Sequence, residues 1–198
     1  MNHGRLPWLR PTELDEAQKR LYEQIVGGPR SLDAQVSALV DTEGRLHGPF
    51  NAFLIDPDIG EAVQNLGSAI RYRSVLRPRA REIATLTVAR AVESNFEWHA
   101  HTRLGRAAGL TDAEIAAIFD GRESETFDAD ERQIWNVTRN LVHGRNLDDQ
   151  LFAQMHNTIG DVILMELIVL VGFYELIARS LEVWRTPLPD DSKPRFSD

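Results

Sequence analysis

The sequence predicts an all-α fold in a single domain, and three observations carry that prediction. Helix start and stop signals recur from one end of the chain to the other. Alternating strand patterns bounded by hairpin turns are nearly absent. A chain of 198 residues with 42% hydrophobic content can bury one core without a metal or disulfide staple.

Residues 1–11 read as an N-terminal arm, 12–185 as the helical domain and 186–198 as a C-terminal tail. Thr12 precedes Glu13, Leu14 and Asp15, which suits an N-cap followed by acids in the first turn, and the helix runs to Val26 before Gly27-Gly28-Pro29. Ser31 to Leu46 is ambiguous and leads into a turn at His47-Gly48-Pro49. Pro57 opens a helix to about Arg73, and Pro78 opens another to about Val92. The latter contains the β-branched run Ile83 to Ala89; because helical patterns flank it without a turn, it reads as a buried helix. Asn95 to Ala108 follows, closed by Gly109 as a left-handed cap. Capping boxes at Thr111 and Asp128 start two more helices, the first to Phe119 and the second to about Gly144. Leu147 to Ile159 and Asp161 to Trp184 complete the set; beyond Pro187 the composition is that of a tail or an arm over a neighbouring subunit.

Composition removes several function classes. With no cysteine there is no disulfide framework, no zinc–thiolate or iron–sulfur site and no thiol nucleophile. A net charge of −8 with dispersed arginines disfavours nucleic acid as a partner. Met1 to Arg10 lacks the apolar core of a signal peptide, so a cytoplasmic location is expected. Val162 to Ala178 is interrupted by Glu166 and Glu175 and falls short of the roughly 20 apolar residues of a membrane span, so no membrane partner is expected.

The chemistry-bearing window is Ser94-Asn95-Phe96-Glu97-Trp98-His99-Ala100-His101, together with Glu82. At about 100° per residue, Ser94, Glu97 and His101 fall within about 60° on one helical face. His99 lies far around the helix from both. A glutamate and a histidine at i and i+4 can form an acid–base pair, the carboxylate raising the histidine's proton affinity and fixing its tautomer; if Glu82 joins them, repulsion between the two carboxylates should raise the pKa of one. The spacing is equally that of a surface ion pair, with Glu82 satisfying amides at the start of its own helix. A metal site would use Glu82, Glu97 and His101 with help from His47, although the His99 and His101 alternation suits a strand better than a helix. His143 and His156, near helix C-termini, read as structural. Glu82-Ile83 with Leu86 and Val88 also resembles Glu166-Leu167 with Leu170 and Val171, a hint of internal duplication that does not extend to the functional positions.

Arg81-Glu82 before an apolar helix, then Phe96-Glu97-Trp98, His101, Ala108-Gly109-Leu110 and Glu114-Ile115, resembles the carboxymuconolactone decarboxylase family, which includes the alkylhydroperoxidase D-like peroxidases. The resemblance extends from His47-Gly48-Pro49 to Gly172-Phe173-Tyr174. It implies the alkylhydroperoxidase D-like helical fold and a homo-oligomer, a dimer, trimer or hexamer. The peroxidase pattern is a glutamate, eleven residues, a cysteine, two residues, a cysteine, three residues and a histidine. Counted from Glu82, those places hold Ser94, Glu97 and His101, so the acid–base frame is present and the thiols are not. Thiol peroxidase activity is therefore disfavoured even where a family label suggests it.

The resemblance instead implies a cofactor-free acid–base enzyme with no metal, acting on a small carboxylated or lactone substrate in the manner of the decarboxylase. Glu82, Glu97 and His101 are its catalytic set; Ser94, Trp98, His47 and Asn51 are expected to contact substrate, and Arg71, Arg73 or Arg90 can hold a carboxylate. The competing readings are a catalytically silent ligand-binding or oligomeric family member, and a metal-dependent enzyme.

Overall fold

The computed structural model describes residues 1–32, 39–144, 146–189 and 192–196, and these divide into two compact units. The first comprises Met1–Arg73 with Arg179–Lys193; the second comprises Ser74–Ala178 with Pro194–Asp198. Part of the ambiguous Ser31 to Leu46 segment, residues 33–38, lies outside the described residues.

In the first unit a two-stranded antiparallel hairpin, β1 (Asn2–His3) and β2 (Leu6–Pro7), lies within the stretch read as an N-terminal arm. Its turn needs Gly4: φ is +68° and a Cβ there would lie 2.2 Å from the Arg185 carbonyl. Helix α1 covers Glu16–Val26, which corrects the expected start at Thr12. Pro11–Glu13 forms a separate 3₁₀ turn, and Leu14, buried at 4% exposure, takes an extended conformation that breaks the run. Asp15 then caps α1, accepting from the Gln18 amide in a capping box. The short α2 (Pro49–Phe53) forms where Gly48-Pro49 predicts a turn, with Pro49 in its first turn, and α3 (Pro57–Tyr72), capped by Asp56, follows.

The second unit is built around α4 (Pro78–Ala91), with α5 (Asn95–Ala107), α6 (Asp112–Phe119) and α7 (Ala129–Gly144) packed on it. Every residue from Glu82 to Ala89 is buried, so α4 has no solvent face over that stretch. That is why its β-branched run does not become a strand: a helix covered on all sides is held by packing, which overrides its modest intrinsic propensity. Thr87 tucks its hydroxyl onto the Ile83 carbonyl at 2.7 Å. Gly109, at φ +97°, supplies the left-handed cap the sequence predicts. The core unites Ile83, Leu86, Trp98, Ile118, Phe127 and Trp135.

Two ionic contacts fix α4. Arg79 reaches Glu131 of α7 at 2.7 Å and also binds Glu114 of α6 and the Gly109 carbonyl. Burial works against the Glu114 charge, but Arg79, Thr111 and Thr126 more than compensate and lower its pKa to about 2. Just before α4, the Glu166 carboxylate accepts from the Ser74 hydroxyl at 2.6 Å, the Val75 amide at 3.0 Å and the Leu76 amide at 3.3 Å. Glu82 and Glu166, the pair behind the hint of duplication, thus do different work.

Helices α8 (Asp149–Thr158) and α9 (Gly160–Trp184) complete the chain. Among the described residues no helix is long and apolar enough to cross a membrane. The C-terminal tail does not simply trail away: Phe196 is buried in the second unit's core.

Candidate functional site

The site forms where α4 turns into α5. Helix α4 ends in a Schellman motif: the Glu93 amide donates to the Arg90 carbonyl at 3.3 Å and the Ser94 amide to the Ala89 carbonyl at 3.0 Å. The motif requires a left-handed residue, and Glu93 takes that role at φ +53° where glycine is usual. Ser94 at once becomes the N-cap of α5, its hydroxyl accepting from the Glu97 amide at 3.4 Å. With no residue to spare between the two caps, the start of α5 is held against α4.

This turn brings Glu82, 19 positions upstream, to His101. The imidazole Nδ1 lies 2.7 Å from a Glu82 carboxylate oxygen and Nε2 lies 3.3 Å from a Glu97 oxygen. All three side chains are buried, with residue exposures of 2% for Glu82, 4% for Glu97 and 6% for His101. They therefore form neither a surface pair nor a helix cap. Burial alone would make the imidazole hard to charge, but Glu82 first and Glu97 second outweigh it and raise its pKa to about 9. The sequence leads one to expect that a carboxylate raises the proton affinity of His101, and the structure agrees, with Glu82 rather than the i, i+4 partner Glu97 as the larger contributor. At neutral pH the group is an imidazolium bonded at both nitrogens.

Two neighbours had not been singled out as site residues. The Tyr174 ring of α9 meets the His101 ring edge-on, with centroids 4.9 Å apart. Arg81 Nε stands 3.6 Å from the other Glu82 oxygen, with its side chain only 12% exposed. Both lie in runs that carry the family resemblance, Arg81-Glu82 and Gly172-Phe173-Tyr174, which was the available signal.

The remaining expected residues are placed otherwise. Trp98 packs in the apolar core against Phe119 and Phe196, with centroids at 5.3 Å and 5.9 Å. Ser94 serves as a cap. His99 has Arg103 as its charged neighbour, and burial first, then that charge, lowers its pKa. Arg90 is tied to the Phe119 carbonyl at 2.6 Å, and Arg71 lies over the Tyr72 ring. His156 meets Asp161 at 2.6 Å on the surface. His47 and Asn51 belong to the first unit. There Asn51 donates to the Pro7 carbonyl at 3.1 Å, and His47 sits beside Trp8 and His3. His3, which the sequence reading passed over, accepts from the Gly48 amide at 3.2 Å, and burial followed by the nearby His47 lowers its pKa to about 4.

Among the described residues no group of three or more His, Asp or Glu side chains is arranged to hold a metal ion. The chemistry agrees locally, because both His101 nitrogens face carboxylates and offer no free lone pair to a cation.

Residues 57–140 match the carboxymuconolactone decarboxylase family. Several solved structures resemble the chain, among them these three. An uncharacterised peroxidase-related protein from Ralstonia eutropha, described as an alkylhydroperoxidase AhpD core, gives a TM-score of 0.74 at 12% identity, covering 96% of this chain and 95% of its own. An Agrobacterium tumefaciens protein of unknown function, named as a candidate antioxidant defence protein AhpD, gives 0.64 at 18% identity over 71% of this chain and 97% of its own. The debrominase Bmp8, as a cysteine-to-alanine variant in complex with 2,3,4-tribromopyrrole, gives 0.64 at 12% identity over 88% of this chain and 85% of its own. At these identities the likeness is one of fold. No curated protein matches the chain in sequence.

Proposed function

On the premise that residues 57–140 carry the carboxymuconolactone decarboxylase family sequence, we propose that this protein is a cofactor-free acid–base enzyme acting on a small carboxylated or lactone substrate, with decarboxylation as the reaction. The observation that supports it is the buried Glu82–His101–Glu97 array. In the reaction the bond to the substrate carboxylate breaks and CO₂ leaves. The electron pair passes into the unsaturated lactone, and a proton is delivered to carbon. His101 is the proton donor: its Nδ1 side is held by the short Glu82 contact, and the longer Nε2 contact to Glu97 is the one a substrate displaces. Neutral His101 then recovers its proton from water. Glu82 orients the ring and Arg81, beside it, offers positive charge to the departing carboxylate.

The test is CO₂ release from carboxylated unsaturated lactones by the wild-type chain and by His101→Ala and Glu82→Gln. Loss of an acid–base group should lower kcat/KM by about 10²–10⁴. Unchanged turnover in His101→Ala on a confirmed substrate overturns the proposal. One observation favours a second reading, a catalytically silent ligand-binding protein: every nitrogen of His101 already has a partner inside the chain. Under that reading lactones or carboxylates raise the melting temperature without product formation.

A homo-oligomer, a dimer, trimer or hexamer, belongs to the same proposal. Val162, Met165, Ile168 and Leu176 of α9 are exposed at 63%, 58%, 47% and 46%, an apolar line that association would cover. Light scattering on the purified chain tests it. The proposed location is the cytoplasm, in keeping with a chain that holds no cysteine.

A further inference from the structure

The first turn of α5 also holds residues 195 and 196 of the C-terminal tail, through Asn95, which stands on the opposite side of Trp98 from His101 in the helical order. Asn95, the first residue of α5, uses its whole side-chain amide on a peptide backbone. Its Oδ1 accepts from the Arg195 amide at 2.6 Å and the Phe196 amide at 2.8 Å, and its Nδ2 donates to the Phe196 carbonyl at 3.1 Å. The Phe196 ring enters an aromatic pocket, stacked on Phe119 at 5.5 Å and edge-on to Trp98 at 5.9 Å, and is left 7% exposed. Guanidinium groups complete the stack. Arg195 lies 4.2 Å from the Phe119 centroid, while Arg90 lies 5.3 Å from Phe119 and 5.7 Å from Phe196.

These contacts read a short peptide in two ways at once. The amide of Asn95 recognises the two successive amides and the carbonyl that a bent backbone turns to one side, and the pocket recognises one aromatic side chain with a cation before it. Every contact named here is made by residues 195 and 196 themselves. We propose that Asn95, Trp98, Phe119 and Arg90 form a peptide-recognition site for a bent Arg-Phe segment, and that Arg195-Phe196 of the C-terminal tail occupies it in cis. The tail is thereby a strap fastened to the helix that carries Glu97 and His101, by a contact that can be competed away.

The test uses the full-length chain with Phe196→Ala, which vacates the pocket and keeps every other residue. The probe is a fluorescein-labelled peptide of residues 191–198, followed by anisotropy. The Phe196→Ala protein should bind it at least about tenfold more tightly than the wild type, whose pocket is occupied. Asn95→Ala added to Phe196→Ala, or alanine at the phenylalanine of the peptide, should abolish binding. Equal binding by wild type and Phe196→Ala, or binding indifferent to the peptide's phenylalanine, overturns the proposal. Should Phe196→Ala fail to fold, amide exchange in the wild-type chain decides the matter. The Arg195 and Phe196 amides should exchange at least about tenfold slower than in the free peptide, and added unlabelled peptide should accelerate them by displacing the strap. Exchange at the free-peptide rate, or exchange untouched by competitor, refutes it.

Discussion

Replacing Glu82 by glutamine tests the electrostatics of the site most directly. In the folded protein the His101 pKa is raised to about 9, against an ordinary value of 6.5. A raised histidine pKa means that the folded state holds the proton more tightly than the unfolded chain. The resulting stability is fully present below pH 6.5 and is lost as pH rises through about 9. Two and a half pH units at 1.36 kcal/mol each correspond to about 3 kcal/mol. Glutamine keeps the shape and a hydrogen-bonding oxygen but removes the charge that contributes most to raising the pKa. Urea unfolding of wild type and Glu82→Gln at pH 6 and pH 10 supplies the comparison, with the difference between the two proteins cancelling groups that titrate alike in both. The wild type should lose about 3 kcal/mol more than the variant across that interval, and the His101 ring protons should titrate near pH 9 in the wild type and well below it in the variant. Identical pH slopes in the two proteins, or a wild-type His101 that titrates near 6.5, would refute the reasoning.

Arg79→Met leaves the buried carboxylates of Glu114 and Glu131 without their shared cation, and chemical denaturation at pH 7 should show a loss of about 3–5 kcal/mol. The same variant should flatten the acid limb. Glu114, held at about 2 in the fold against 4.5, stabilises above pH 4.5 and loses that contribution of about 3 kcal/mol as pH falls toward 2. Glu166→Ala removes the acceptor for the Ser74 hydroxyl and two backbone amides ahead of α4, so it should cost about 1–3 kcal/mol by thermal unfolding, with Glu166→Gln in between; an unaltered melting temperature would deny Glu166 that capping role.

Much of the fold was legible because helix boundaries are local events. Pro57, Pro78, Gly109 and the Thr111 capping box mark helix ends within a residue or two of their observed places, since each acts through the sterics or hydrogen bonds of its own turn. The misplaced start at Thr12 shows where local reasoning divides: Thr12 and Asp15 are both acceptable caps, and the burial of Leu14, a tertiary fact, chose Asp15. The hairpin at residues 2–7 was missed for a similar reason. Four residues of strand carry no periodicity, and the turn is set by the approach of Gly4 to the Arg185 carbonyl.

The sequence by itself determined that no thiol chemistry is open to this chain and that Glu97 and His101 share a helical face, because composition and helical period require no knowledge of packing. Only the tertiary structure decided that Glu82 meets His101, that Trp98 faces the core and that Phe196 closes over the start of α5. It also decided the charge on His101. A pKa depends on how completely water is removed and on every charge brought within reach, and both follow from residues far apart in the chain folding to one place.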